Sequence, residues 1–341
     1  MTVQLRNCHI IGTGSYVPEN VIKNSYFDNL GSSDEWIKSR LGISERHFAA
    51  EGQPTSDLAV AAAKMAIEDA NCKVEDIDLI VLGTSSPDML LPSTACIVQD
   101  KLQAYNAPAF DISAACGGFI FAMNIASQYI ANGSCERVLV IGADEPSTLC
   151  DPEQRDTVVF FGDGAGAAVL APCEEGQGIL ASKIFSYGDG RHHIFIPAGG
   201  SEHRITHEAL DEHQQYIRMD ARKTFEVATS VLPEAVKEVL ARADLTVDDV
   251  DWVIPHQPGK QMLKTITDSL DIPWEKVMTN MDRYANTSAG TVPIMLDETY
   301  RSGKLKKGDI VVSVAIGAGW SWGAAVYRWT KEQYVGTAQT A

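Results

Sequence analysis

Ser56-Asp-Leu-Ala-Val-Ala-Ala-Ala-Lys-Met-Ala-Ile-Glu-Asp-Ala70, followed by Val74-Glu-Asp-Ile-Asp-Leu-Ile-Val81, decides the fold, because the chain writes it twice. The second copy is Thr229-Ser-Val-Leu-Pro-Glu-Ala-Val-Lys-Glu-Val-Leu-Ala-Arg-Ala243, followed by Val247-Asp-Asp-Val-Asp-Trp-Val-Ile254. In both, apolar residues recur at helical spacing, an acidic turn follows, and a short apolar run ends the unit as a buried strand would. A second echo comes behind the first. Arg137-Val-Leu-Val-Ile-Gly142 leads to Gly164-Ala-Gly-Ala-Ala-Val169, and Asp309-Ile-Val-Val-Ser-Val314 leads to Trp322-Gly-Ala-Ala-Val326. Two halves of mixed helix and strand predict a duplicated α/β core of layered helices and sheets. The join is expected in the polar stretch Pro172-Cys-Glu-Glu-Gly-Gln-Gly178, giving halves of residues 1–174 and 175–341. Residues 186–217 are rich in Gly, His, Pro and charge, and read as an insertion.

Bulk properties narrow the function. The chain has 341 residues, of which 45% are hydrophobic, so a large core is expected. A net charge of −17 argues against general nucleic-acid binding, which needs a basic surface. The seven cysteines form no CxxC pair, and the eight histidines fall into no HExxH or ligand-spaced cluster. Reduced thiols and no metal site are expected. Met1-Thr-Val-Gln-Leu-Arg6 carries no long apolar core, and the apolar runs are too short for a membrane span. The expected location is the cytoplasm. The polar end from Glu332 to Ala341 is expected to fray.

Asp111-Ile-Ser-Ala-Ala-Cys116-Gly-Gly118 puts a cysteine at a strand-to-helix turn among small residues. Helix N-terminal amides favour a thiolate there, which makes Cys116 a candidate nucleophile. His256, in Trp252-Val-Ile-Pro-His-Gln-Pro258, follows a strand directly, where α/β proteins place their chemistry. It suits an acid, a base or a neutral donor, and equally a plain hydrogen-bonded histidine in a Pro-rich turn. Asn286 precedes Thr-Ser-Ala-Gly290 and reads as a turn or cap residue, or as an amide donor to a carbonyl that gains charge. Two neutral donors suit an enolate formed by loss of CO2. Gly317-Ala-Gly-Trp-Ser-Trp-Gly323 lacks GxGxxG form. It is a tight turn between strands, or a source of a Gly319 amide that pairs with the Cys116 amide as an oxyanion hole.

These pieces resemble the 3-oxoacyl-acyl-carrier-protein synthase III enzymes of the thiolase superfamily. The markers stand in family order: Gly12-Thr-Gly-Ser-Tyr-Val-Pro18, Asp34-Glu-Trp-Ile37, Gly42-Ile-Ser-Glu-Arg-His47, Pro92-Ser-Thr-Ala95, Cys116-Gly-Gly118, Phe161-Gly-Asp-Gly-Ala-Gly166, His256-Gln257, Asn286-Thr-Ser288 and Gly317 to Gly323. The resemblance implies a layered α-β-α-β-α fold with two similar five-stranded mixed sheets. It implies that Cys116 takes an acyl group from an acyl-CoA, coenzyme A thioester being substrate and no cofactor being needed. His256 and Asn286 would then assist decarboxylation of a malonyl thioester, and the enolate would attack the acyl-cysteine. Trp36, Arg40 and Arg155 match residues that hold the coenzyme A nucleotide. Leu91 matches a residue that crosses a homodimer to line the partner's acyl pocket.

The chain departs from the pattern after His256-Gln257. Pro258-Gly-Lys-Gln261 and Thr267-Asp-Ser-Leu-Asp271 stand where basic residues help dock the acidic carrier protein. Arg222, Lys223, Lys260 and Lys264 are candidates to compensate. The extender is therefore open among malonyl-acyl carrier protein, malonyl-CoA and another nucleophile. Leu91 is less bulky than the aromatic residue often found there, which suggests a roomier acyl pocket. Acyl transfer to a hydroxyl or amine is a rival that the pairing of His256 with Asn286 disfavours. A coenzyme A-binding scaffold and a cysteine protease are the rivals from other classes.

Overall fold

The computed structural model describes residues 5–335; the outermost residues of both terminal segments read above, 1–4 and 336–341, lie outside them. Nine strands build the two main sheets: β1 (Asn7–Tyr16), β2 (Leu79–Gly83), β3 (Ala109–Ile112), β4 (Val138–Asp144), β5 (Gly164–Cys173), β6 (Gly178–Ser186), β7 (Trp252–Pro255), β8 (Ile310–Gly317) and β9 (Ser321–Arg328). The principal helices are α1 (Asp34–Leu41), α2 (Thr55–Asp69), α3 (Thr94–Leu102), α4 (Gly118–Ala131), α5 (Ala221–Arg242), α6 (Lys260–Asp268) and α7 (Thr291–Arg301). The first sheet runs β1-β5-β4-β2-β3 and the second β6-β9-β8-β7. In both, the strand after the acidic turn pairs parallel with the long central strand, which pairs antiparallel with the next.

Strand alternation explains the layers. Leu79 and Val81 of β2 face a core shared with α4, α7 and the second sheet, whereas Ile80 and Leu82 face α2 and α3. The outer face of the second sheet packs on α5 and α6. The result is the expected α-β-α-β-α sandwich, with α4 and α7 as its middle layer.

Two expectations are corrected. The second sheet has four strands. The segment facing β7 where β3 faces β2 forms only one parallel bridge, Val277 to Val253. Its backbone is engaged elsewhere: the Gln257 side chain donates to the Met278 carbonyl (3.2 Å) and accepts from the Asn280 amide (3.3 Å). The second echo is also out of register by one residue. Asp78 N–H donates to the Arg137 carbonyl at 2.9 Å, and Asp251 N–H to the Ile310 carbonyl at 2.9 Å. Arg137 therefore corresponds to Ile310 and not to Asp309. Two apolar runs of similar composition align equally well by pattern, and only the hydrogen bonds set the register.

Residues 186–217 are ordered by short elements. Ile194–Phe195 pairs with Arg218–Met219, and a helical turn spans His207–Asp211. His213 Nδ1 lies 2.7 Å from Asp151 Oδ2, which ties this segment to the loop before Arg155.

Candidate active site

A cavity of about 1240 Å³ opens where the C-terminal ends of β3, β4, β7 and β8 converge, and it takes in Cys116, His256, Asn286, Gly319, Trp36 and Arg40. Cys116 lies in the turn between β3 and α4, Ala115–Gly117. Ala115 holds φ +47°, a left-handed conformation that costs a non-glycine residue about 1 kcal/mol. The strain turns the chain sharply enough to put Cys116 at the mouth of α4.

Burial decides the state of the thiol. It pushes Cys116 up to about 11, and the nearby Asp144 carboxylate adds to the rise. Hydrogen bonds from Ser288 and Asn286 pull the other way without overcoming it. Cys116 is itself half-buried at the cavity wall.

His256 is 3% exposed, and its own N–H donates to the Val314 carbonyl at 2.8 Å. Burial lowers its imidazole to about 3, so it is neutral across the physiological range. Its Nδ1 is buried without a hydrogen-bond partner. The turn is braced by Gln257, whose side chain bonds the Pro255 carbonyl at 3.0 Å besides its contacts to Met278 and Asn280.

Asn286 is oriented by its backbone surroundings. Its N–H donates to the Phe160 carbonyl (3.0 Å), and its carbonyl accepts from Gly162 N–H (3.1 Å). Its side-chain Oδ1 accepts from Ser288 N–H at 2.8 Å. With the oxygen engaged by the backbone, the Nδ2 amine is the end left to donate into the cavity. Residues flanking Asn286 carry strain as Ala115 does: Ala285 has φ +56° and Ser288 φ +51°.

The coenzyme-facing residues are partly brought together. Trp36 and Arg40 line the cavity, and Arg155 stacks its guanidinium over the Trp36 ring at 5.2 Å from the centroid. Leu91 is not in the cavity. It is 85% exposed, in a surface loop with Met89 (50%) and Leu90 (85%). Of the candidate basic residues, Arg222 and Lys223 both pair with Glu226 and Lys264 pairs with Asp268.

Two contributors escaped the sequence. Asp144, at the end of β4, is fully buried beside Cys116 and accepts from Thr84, Ser85, Ser86 and Ala289. An acid closing an apolar strand run was the available signal. The 186–217 segment supplies cavity wall through Arg191, Ile194, Phe195, Ile196 and Ile217. Its irregular composition carried no sign of that.

Comparison with known proteins bears on the same surface. Residues 110–188 match the family described as 3-Oxoacyl-[acyl-carrier-protein (ACP)] synthase III, and residues 240–329 match its C-terminal counterpart. The β-ketoacyl-[acyl-carrier-protein] synthase III of Caldanaerobacter subterraneus is 47% identical over 323 residues, 94% of this chain and 98% of that protein. The chain belongs to the 3-oxoacyl-acyl-carrier-protein synthase III family. The crystal structure of the Aquifex aeolicus 3-oxoacyl-[acyl-carrier-protein] synthase III superposes with a TM-score of 0.88 at 41% identity, covering 94% of this chain and all of that one. The priming β-ketosynthase of the R1128 polyketide biosynthetic pathway gives 0.89 at 29% identity, over 97% and 98% of the two chains. The family's condensing-enzyme chemistry is therefore the frame in which the cavity is read.

Proposed function

We propose that Cys116 is the nucleophile, and His256 and Asn286 the enolate donors, of a decarboxylating Claisen condensation primed by an acyl-CoA. The observation that carries this reading is the meeting in one cavity of a thiol at a helix mouth with two neutral donors. In the first half-reaction, Cys116 sulfur attacks the thioester carbonyl, coenzyme A leaves as its thiolate, and that thiolate takes the proton Cys116 gives up. In the second, the C–CO2 bond of a malonyl thioester breaks and its electron pair moves into an enolate. A ring N–H of His256 and the Asn286 Nδ2–H hold the enolate oxygen. The enolate carbon attacks the acyl-Cys116 carbonyl, and the amides of Cys116 and Gly319 receive the oxyanion. Collapse expels the Cys116 thiolate, which takes a proton from solvent, leaving CO2 and a 3-oxoacyl thioester.

A neutral His256 suits this sequence. A cation would bind the malonyl carboxylate and stabilise the ground state, whereas a neutral donor gains mainly as charge develops on the enolate. Acyl transfer without condensation would leave both donors idle.

We further read the chain as a homodimer in which the exposed Met89-Leu90-Leu91 loop enters the partner's cavity. The 85% exposure of two adjacent leucines supports this. Seven unpaired cysteines fit a reducing cytoplasm. Among the described residues no helix is long and apolar enough to cross a membrane.

The test is intact-protein mass after mixing with acyl-CoAs from acetyl to decanoyl, followed by malonyl-CoA or malonyl-acyl carrier protein. Acylation that maps to Cys116, vanishes in Cys116→Ala and is discharged by a malonyl donor supports the reading. Asn286→Ala should acylate normally and fail to condense. If Cys116→Ala still acylates, the nucleophile is misassigned.

A further inference from the structure

Arg46 is completely buried, yet every acceptor that its side chain uses is neutral. Nη1 donates to Asn24 Oδ1 at 2.7 Å and to the Ile22 carbonyl at 3.4 Å, and Nη2 donates to the Val159 carbonyl at 2.9 Å. Nε is buried with no partner, and the guanidinium lies over the Phe27 ring, 4.8 Å from its centroid. A buried cation bonded to no anion is costly, and an apolar side chain of similar length would fill the same space at less cost. Arg46 does not line the cavity. Its use lies in what it holds.

It holds the strand on which Asn286 hangs. Residues 159–163 run between two neighbours. Toward Asn286, the Phe160 carbonyl accepts from Asn286 N–H and Gly162 N–H donates to the Asn286 carbonyl, a parallel bridge centred on Phe161. On the other side, Asp163 N–H donates to the His47 carbonyl at 2.8 Å, and the buried Val159 carbonyl meets the Arg46 guanidinium. The short strand Glu45–Phe48 thus supplies backbone at His47 and a side chain at Arg46. The His47 ring also packs edge-on against Tyr284, with centroids 5.4 Å apart, so the same strand touches the Asn286 segment from a second direction. The fit has no slack. A Cβ on Gly162 would stand 2.5 Å from the Tyr284 carbonyl oxygen and 3.0 Å from Arg46 Cβ. None of these bonds reaches Cys116 or Gly319.

We propose that Arg46 is a positioning residue for the condensation step, holding the 159–163 strand and, through it, the Asn286 amide. Without the guanidinium the buried Val159 carbonyl loses its donor, a penalty that the strand relieves by moving. Moving a reacting group by about 1 Å costs of order 10²-fold. The loss falls on decarboxylation and enolate attack, in which Asn286 takes part, and not on acylation of Cys116. The inference rests on Asn286 being an enolate donor.

The test separates the two half-reactions by intact mass. The first rate is acylation at saturating acyl-CoA; the second is discharge of the acyl-enzyme by a malonyl donor, corrected for hydrolysis. Arg46→Met keeps the length of the side chain and removes its charge and donors. Acylation should stay within about threefold of native, and discharge should fall by at least about tenfold. The loss should not exceed that of Asn286→Ala, the residue through which Arg46 acts. Arg46→Lys keeps a donor for the Val159 carbonyl, so its discharge rate should lie between native and Arg46→Met. Mere loosening of the fold would slow both half-reactions together. Equal losses in the two, an unchanged discharge, or a loss larger than that of Asn286→Ala overturns the proposal. If Arg46→Met does not fold, Arg46→Lys decides by the same split: slower discharge alone supports the proposal, and any other result refutes it. Failure of the enolate-donor reading shows differently, as native discharge in Asn286→Ala itself.

Discussion

Replacing Gly317 with alanine should slow acylation of Cys116 by about a hundredfold while the protein still folds. Gly317 ends β8 and pairs with Ser321 of β9, whereas the pairing of β8 with β7 stops at Val314. A Cβ there would lie 2.5 Å from the Cys116 amide nitrogen, 2.7 Å from Ala115 Cβ and 2.9 Å from the Ala114 carbonyl oxygen. Ordinary contacts of these kinds start near 3.4 Å, so about 1 Å of movement is required. The backbone of Gly317 is not in the left-handed region, so alanine adds only bulk and no conformational strain. All three contacts are to the Ala114–Cys116 turn, so the displacement falls there. Misplacing a reacting group by about 1 Å costs of order 10²-fold. Overpacking of this kind costs about 1–3 kcal/mol of stability.

Rapid-quench intact mass with saturating acyl-CoA measures the acylation rate, and thermal unfolding measures the stability loss. The two must be read together. Acylation within threefold of the native rate at unchanged unfolding temperature would show that the turn and strand are not in the contact described. A collapse of stability well beyond 3 kcal/mol would show that the sheet, not the turn, takes the strain.

Three further outcomes are expected. His256 is held near 3 against an unfolded value of about 6.5, so below pH 6.5 the unfolded chain binds a proton that the native state refuses; stability should fall by up to about 1.4 kcal/mol per pH unit toward pH 3, and urea titrations of His256→Asn should lose that component of the slope. Glu145 is 8% exposed, has an unpartnered Oε1, and is raised to about 8, so its burial favours folding below pH 4.5 and this contribution disappears as pH rises through 8; Glu145→Gln should unfold at a higher temperature than the native protein above pH 8 and at about the same temperature at pH 4. Trp36→Ala should raise KM for acyl-CoA about tenfold with kcat within twofold, the loss of one base–aromatic stack, and an unchanged KM would remove Trp36 from the nucleotide site.

The sequence made some links legible and hid others for physical reasons. The repeated helix, acidic turn and strand was readable because local periodicity sets each element. The one-residue slip between Arg137 and Ile310 was not, because apolar strands of like composition do not encode their partner. Cys116 was visible as a turn cysteine between small residues. The state of its thiol was not, because desolvation depends on what Asp144, Asn286 and Ser288 bring from other parts of the chain. Leu91 reads as a pocket residue by resemblance and lies on the surface of a single chain. Its surroundings are set by what covers that loop, which no pattern along one chain contains.

The duplication also explains why one half carries the nucleophile and the other does not. With Arg137 matched to Ile310, the three-residue turns directly before α4 and α7 correspond: Ala115-Cys116-Gly117 to Ser288-Ala289-Gly290. Each begins in the left-handed region, at +47° and +51°. In the same register Asp144 corresponds to Gly317. On one side Asp144 Oδ2 occupies the Ala289 amide. On the other, Gly317 stands against the Cys116 amide with no side chain to occupy it. The same turn is thus neutralised internally in one half and left with a donor for substrate in the other. The proposed oxyanion hole then depends less on adding a group than on withholding one, and Gly317 is the residue that withholds it. Filling that space with a carboxylate, as in Gly317→Asp, would recreate the Asp144 arrangement at the Cys116 amide. It should abolish acylation more completely than the alanine variant, because it would quench the donor as well as displace it. Equal rates for the two variants would mean that bulk alone matters and that the Cys116 amide does not receive the substrate oxygen.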